Sequence, residues 1–448
     1  MSTEVRSVTS LAMLYAFRML GLFMVLPILV LYGKGYLGAT PFTLGLALGV
    51  YGLTQAVFQI PLGLMSDIFG RKLIIISGLV IFAAGSLVAA FSTTVEGLII
   101  GRALQGSGAI ASAIMATVAD LTSEQNRTKA MAAIGASIGL SFTLAMVVGP
   151  SLAAIAGLEG VFILSAVLSV VGILIVLFLL PTPPRFHKSH RDTGAIPSLI
   201  LATIKNGELF RLNWGIFSLH CVLMASFVVL PGLLQAELGL DKAQHWRVYL
   251  PVLLLSFVAM LPFMLLAERK RQVKGVFLGA IFAMAACLFG MGVFSGNGYW
   301  LVFLVFVFFV AFNLLEATLP SLVSKIAPVG SKGTAMGIYS TSQFLGAFCG
   351  GAIGGALMSY QSSGEFLFFC CATLVALWGA LAWTMAKPKY LSSLCYSIPE
   401  GFAGAGDVKS LVGVEEALVV VEESLLYLKV DKQLFNEQQL ENVLTAPH

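Results

Sequence analysis

The stretch GLMSDIFGRKLIIISG, residues 63–78, reads as the end of one apolar helix, a tight charged turn and the start of another. Upstream, an apolar run extends from Thr43 to Ser66, and downstream another extends from Leu73 to Phe91. Each is close to the ~20 residues that cross a hydrocarbon core as a helix. Between them lie six residues, among them the charged Asp67, Arg71 and Lys72 and the turn-forming Gly70. Two such runs joined by a turn make a hairpin across a bilayer, because lipid tolerates only backbone whose polar groups are satisfied internally. Composition agrees: the 448 residues are 58% hydrophobic and 11% charged, less than half the roughly 25% charge of a soluble domain.

Twelve apolar runs of this kind are expected before Lys387. They extend from Ser10 to Tyr32, Thr43 to Ser66, Leu73 to Phe91, Gly97 to Ala119, Met131 to Gly157, Val161 to Leu180, Trp214 to Ala236, Tyr249 to Ala267, Val276 to Ser295, Trp300 to Ser324, Thr334 to Met358 and Phe366 to Met385. No small-residue cleavage site follows the first run, so it reads as a retained helix rather than a signal peptide. The organisation expected is a six-helix bundle (1–181), a linker (182–212) with the pattern of a short surface helix, a second six-helix bundle (213–387) and a soluble tail (390–448). The fold class is therefore all-α and polytopic, with a small α+β domain appended. The even-numbered links carry most of the lysine and arginine, among them Arg71, Lys72, Arg127, Lys129, Arg185, Lys188, Arg191, Arg269 and Lys325; the odd links carry Lys34, Lys242 and Arg247. The positive-inside rule then places both termini in the cytoplasm. The tail has nine acids and three bases, a charge of −6, against +10 on the rest of a chain whose net charge is +4.

The two bundles echo each other. PLGLMSD (61–67) returns as PFMLLAE (262–268), and RTKAMAAIGAS after the fourth run returns as KGTAMGIYSTS after the tenth, both at an offset of about 200 residues. Duplicated bundles are a known construction for transporters that rock about a central site. Ionisable residues inside the runs follow the same logic: Arg18 in the first, Arg102 in the fourth, His220 in the seventh and Glu316 in the tenth. Such groups are costly in a membrane unless they face the protein interior or a water-filled path.

On these residues the chain resembles the major facilitator superfamily. GLMSDIFGRKLIIISG resembles the family's motif A through Gly63, Asp67, Gly70, Arg71 and Lys72, and LIIGRALQGSGAIASA resembles motif B through Arg102, Gln105, Gly106 and Gly108. GASIGLSFTLAMVVGPSLAA resembles the antiporter-associated motif C through Gly139, Gly149 and Pro150, departing from it where Ala153 and Ala154 replace glycines. The resemblance implies a secondary transporter, not an enzyme, of the proton-driven, drug-efflux-like kind. Its partners are membrane lipid, protons and a small molecule, with no nucleic acid; it is expected to act as a monomer in a bacterial inner membrane. The resemblance also implies a latch in which Asp67, Arg71 and Asp120 gather and Asp67 meets the positive N-terminal end of the eleventh helix.

Plainer roles stand beside these. Asp67, Arg71 and Lys72 can be solvated charges ending a helix, Gly149 and Pro150 a hinge in the packing, and His220 a packed, hydrogen-bonded histidine. Glu316, with Asn313 one turn earlier on the same face, is the proton-carrier candidate; Arg18 is permanently charged and can either hold Glu316 ionised or bind an anionic group. Uptake symport and a transporter-like sensor remain alternatives to export. No Walker motif, paired carboxylates or Ser/His/Asp grouping occurs, and no cofactor or metal is expected. The six cysteines have no ligand spacing.

The tail reads in the order β-α-β-β-α: LSSLCYSI, DVKSL, EEALVVVEES, LLYLKVDK and NEQQLENVL, the last with Asn436 as N-cap and Gln439 at N3. This resembles the ferredoxin-like fold of heavy-metal-associated domains. Their metal-binding CxxC is absent, only Cys395 being present, and a fourth strand is missing or very short.

Overall fold

The computed structural model describes residues 3–181, 196–361, 363–387, 391–399, 402, 405–420, 424–431 and 434–445. The linker residues Arg185, Lys188 and Arg191 and the start of the tail at Tyr390 lie outside the described residues.

The first half comprises α1 (Thr3–Phe23), α2 (Leu29–Tyr32), α3 (Pro41–Phe69), α4 (Arg71–Phe91), α5 (Val95–Ser107), α6 (Ala111–Leu121) and α7 (Glu124–Phe178). The linker contributes α8 (Pro197–Lys205). The second half comprises α9 (Gly207–Leu238), α10 (Trp246–Arg269), α11 (Val273–Phe294), α12 (Gly298–Ile326), α13 (Lys332–Tyr360) and α14 (Gly364–Trp383). Nine helical stretches among the described residues are long and apolar enough to cross a bilayer. One of them, Lys129–Phe178, turns at Gly157, whose φ of 62° breaks the helix, so it holds two spans. The pair α1 and α2, which carries Arg18, and the glycine-rich α13 are more polar and complete the twelve expected.

Local chemistry sets the boundaries. Thr40 and Thr43 form a capping box that starts α3, and Pro41 occupies the first turn, where its missing N–H costs nothing. Asn206 accepts from the amides of Glu208 and Leu209 to start α9, and left-handed Gly239 ends it. Two spans are interrupted where the sequence alone predicts continuous runs. Pro27, with no amide hydrogen to donate, lies in the break between α1 and α2. Gly108 (φ −74°, ψ 46°) leaves the helix between α5 and α6.

The outer surface is apolar, with Phe91, Ile155 and Phe178 69%, 87% and 75% exposed, as lipid-facing side chains are. Both ends of the chain lie on one side: the Glu4 carboxylate accepts from Ser123 N at 3.0 Å at the start of α7, and the tail touches the α12–α13 turn. This is the tail side of the molecule. On the far side the halves meet closely. A Cβ at Gly45 would lie 2.3 Å from the Gly351 carbonyl, one at Gly49 2.6 Å from that of Phe348, and one at Gly52 2.5 Å from that of Phe344, so α3 and α13 pack backbone to backbone. Phe42 N donates to Ser359 Oγ at 2.9 Å, and Lys242 Nζ donates to the Leu31 carbonyl at 3.3 Å across the same seam.

The tail forms an antiparallel sheet in the order β1-β3-β2, from β1 (Ser392–Ser397), β2 (Val414–Val420) and β3 (Leu425–Val430), with α15 (Ala405–Lys409) and α16 (Glu437–Thr445). A third strand threaded between the first two is the split arrangement of a ferredoxin-like domain, here without its fourth strand among the described residues. Asn436 Oδ1 accepts from Gln438 N at 3.0 Å and caps α16. Val408, Leu426, Leu428, Val430 and Leu440 form the tail's own core.

Candidate functional site

Among the described residues, the ionisable side chains that the sequence singles out fall into three polar clusters within the spans or at their ends. In the second half, α9, α12 and α13 bring His220, Glu316 and Gln343 together. Gln343 Nε2 donates to Glu316 Oε1 at 3.2 Å and lies 2.8 Å from His220 Nε2, which is itself 3.9 Å from Glu316 Oε2. Glu316 is the more open of the two ionisable side chains, 37% exposed against 14% for His220. Glu316 Oε2 and the Tyr339 hydroxyl have no hydrogen-bond partner among the described residues. A carboxyl and an imidazole bridged by one amide can hold or pass a proton. Asn313 turns to α10 instead, its Nδ2 donating to Ser256 Oγ at 3.1 Å.

The first half has a different interior. Arg18, 2% exposed, donates through Nη2 to Gln55 Oε1 and to the Gly108 carbonyl, both at 2.8 Å, and its guanidinium lies 5.8 Å from the Phe82 ring centre. The break after α5 frees that carbonyl for it. Gln55 passes the chain on to Gln59 and Gln59 to Ser112, at 2.8 and 2.9 Å. Arg102, fully buried, donates to Gln105 Oε1 at 2.7 Å and to the Ala47 carbonyl at 3.3 Å, over the Tyr51 ring at 5.1 Å. Gln105 Nε2 continues to Ser86 Oγ at 2.7 Å. Neither arginine is ion-paired to a carboxylate among the described residues, and the partners of Arg18 are an amide and a carbonyl, not Glu316.

The third cluster ties α3, α4 and α6 at the tail side. Arg71, 9% exposed, pairs with Asp67 through Nη1 and with Asp120 Oδ2 through Nε at 2.9 Å, and donates to Ser66 Oγ at 2.6 Å. Gly70, at φ 98°, makes the turn that presents Arg71 to both carboxylates. A Cβ at Gly63 would lie 3.0 Å from Ser112 Cβ. Lys72 is half-buried and joins no ion pair among the described residues. No hydrogen bond or ion pair joins Asp67 to α13 among the described residues.

Of the α7 positions, a Cβ at Gly149 would lie 2.6 Å from the Met24 carbonyl in the break between α1 and α2, so Gly149 permits that contact beside buried Pro150. Gly139 is exposed with open space around it. Sequence reasoning missed Gln343, Gln55, Gln59 and Ser112. The signal was present: amides inside apolar runs are rare enough to mark interhelical hydrogen bonds.

The family model for the Major Facilitator Superfamily matches residues 11–348 and 215–394. The chain is 45% identical to the inner membrane transport protein YajR of Escherichia coli (strain K12), over 98% of this chain and 97% of that protein. It is 26% identical to multidrug resistance protein 2 of Bacillus subtilis (strain 168), over 82% of this chain and 92% of that one. A bacterial homologue of the human lysosomal transporter Spinster, solved in an inward-facing, unoccupied conformation, shares the fold at a TM-score of 0.67 and 13% identity, over 85% of this chain and 96% of that chain. The twelve-span architecture, its duplicated halves and these matches agree: the chain belongs to the Major Facilitator Superfamily, as a transmembrane transporter of small molecules rather than an enzyme.

Proposed function

We propose that this protein is a proton-coupled antiporter that exports small, amphipathic or drug-like molecules across a bacterial inner membrane by alternating access. The observation that carries this reading is the Glu316–Gln343–His220 cluster, where one amide hydrogen-bonds Glu316 and lies against His220 inside the second half. Protonation of Glu316 would remove a charge held within a membrane span, and its release would restore it, so each proton changes the cost of holding α12 in a given position. The name of the Bacillus relative, a multidrug resistance protein, supports export of drug-like cargo. With both termini cytoplasmic, by the positive-inside rule, the far-side seam between α3 and α13 makes this the inward-facing state. Gly149 and Pro150 then act as the point about which α7 bends against α1, with Gly139 on the same helix. The protein works as a monomer.

In this reading, Asp67, Arg71 and Asp120, with Gly63, Gly70 and Lys72 shaping the turn, form a latch. When the tail side closes, Asp67 reaches the positive N-terminal end of α13 and holds the outward-facing state. Arg18 and Arg102 supply fixed charge beside the pathway, holding the helices that frame it. The test is uptake into everted vesicles with an acidified lumen of a compound found by thermal-shift screening of the purified protein. Gradient-driven accumulation is expected, and Glu316→Gln abolishes it. Flux in the opposite direction would establish uptake symport instead.

A further inference from the structure

The tail is attached to the membrane body by more than its linker. Glu416 Oε2, on β2, accepts from Val329 N at 3.0 Å, in the turn between α12 and α13. Lys429, on β3 and with its side chain 4% exposed, donates through Nζ to the Lys325 carbonyl at 2.8 Å in the last turn of α12. Glu416 Oε1 and Lys429 Nζ are 3.9 Å apart, so the two contacts act as a pair. The charges are placed with the helix dipoles: the cation sits at the carbonyl end of α12, and the anion on the approach to the amide end of α13. Val329 completes the contact, packing against Val420, Leu425 and Tyr427 on the sheet.

The other side of the same turn is held by the linker. Ile196 N donates to Thr334 Oγ1 at 2.9 Å in the first turn of α13, and Ser331 and Thr334 are 5% and 0% exposed. The start of α13 is thus gripped by the tail in front and by the linker beside it, in a state whose halves are closed on the far side. At the end of α3, by contrast, Met65, Ile68 and Phe69 are 40%, 76% and 59% exposed.

We infer that the tail sheet, acting with the linker, is an intramolecular clamp that occupies the approach to the N-terminal turn of α13 and competes with Asp67 for it. The inference rests on the latch reading above. Docking of Glu416 and Lys429 holds the turn in the far-side-closed state. Undocking frees it to receive the end of α3, so any cytoplasmic ligand that draws the acidic tail away speeds the change of state. The tail then sets how long the transporter waits, while the cavity chemistry is untouched.

The experiment uses the full chain in nanodiscs, in a cysteine-light background, with spin labels at Ile68 and Met336 reporting the gap between the ends of α3 and α13. Glu416→Ala with Lys429→Met, read by faster proteolysis ahead of β1, releases the tail. Release is expected to raise the short-distance population by about threefold to tenfold, as the loss of one or two hydrogen bonds to charged groups implies. The converse variant, Val329→Cys bridged to the native Cys395 by a short bifunctional maleimide, pins the tail and is expected to deplete that population. A tail that is demonstrably released while the distance distribution stays unchanged, or a pinned tail with an undiminished short-distance population, overturns the clamp. Adding Asp67→Asn to the released variant separates the two readings. If the gain disappears, clamp and latch both stand. If the gain persists, the competition with Asp67 is overturned, and the tail restrains α13 by some other route.

Discussion

The two halves repeat one architecture but bury opposite kinds of charge. In the first half, Arg18 and Arg102 are sealed among glutamines, serines and main-chain carbonyls, without a carboxylate partner among the described residues. In the second, a carboxyl and an imidazole share one amide, and the carboxyl is 37% exposed. A guanidinium keeps its charge at any relevant pH, so it can hold helices in register but cannot report a proton. Carboxyl and imidazole groups change charge, and with it the cost of their burial. In the proposed mechanism the first half is therefore the fixed frame and the second the half that responds.

The sharpest way to break that contrast is to remove a frame charge. Arg102→Leu strands Gln105 and the Ala47 carbonyl and unpacks Tyr51, and is expected to destabilise the protein by about 2–4 kcal/mol. Thermal unfolding of the purified variant checks this, and a stable but inactive variant would move Arg102 from the frame to the mechanism. Next in size is Glu316→Gln, which keeps the shape and the contact with Gln343. It is expected to unfold within about 1 kcal/mol of the parent while losing pH-gradient-driven flux altogether; a large loss of stability instead would make the second half a frame as well.

Smaller effects refine the comparison at the tail side. Asp67→Asn is expected to cost the outward-facing state about 1.4 kcal/mol, roughly a tenfold change in the ratio of states, with ligand affinity in the inward-facing state unchanged. Distances across the ends of α3 and α13 measure it, and an unaltered distribution would reduce the motif to a solvated turn. The smallest change in stability is expected from truncation near Tyr390. The tail has its own core of Val408, Leu426, Leu428 and Leu440, so the truncated protein is expected to insert and to elute as a single species on size exclusion; aggregation would show that the halves need the tail to fold.

Much of this was readable from the chain, and the limits of the reading have physical causes. Apolar length is a one-dimensional property, so the spans, the charged turn at 67–72 and the boundary of the acidic tail follow directly from it. The break at Gly108 was less visible, because glycine is tolerated inside membrane helices as often as it interrupts them. The order of the tail's elements along the chain was legible because short apolar runs such as VEEALVV and LLYLKV and an Asn436 cap are local signals.

Which polar groups meet was a different matter. Arg18 and Glu316 attract one another on paper as opposite charges in one membrane, yet they lie in separate halves, and each has an uncharged hydrogen-bond partner nearer to hand. Gln343 lies 27 residues from Glu316 and 123 from His220 along the chain, so no local pattern links them. The sequence by itself determined how many times the chain crosses the bilayer and which costly side chains are carried into it, since both depend on transfer from water to lipid, residue by residue. Only the tertiary structure decided who partners whom, because in a membrane interhelical hydrogen bonds and close glycine contacts depend on how α3, α9, α12 and α13 are rotated against one another.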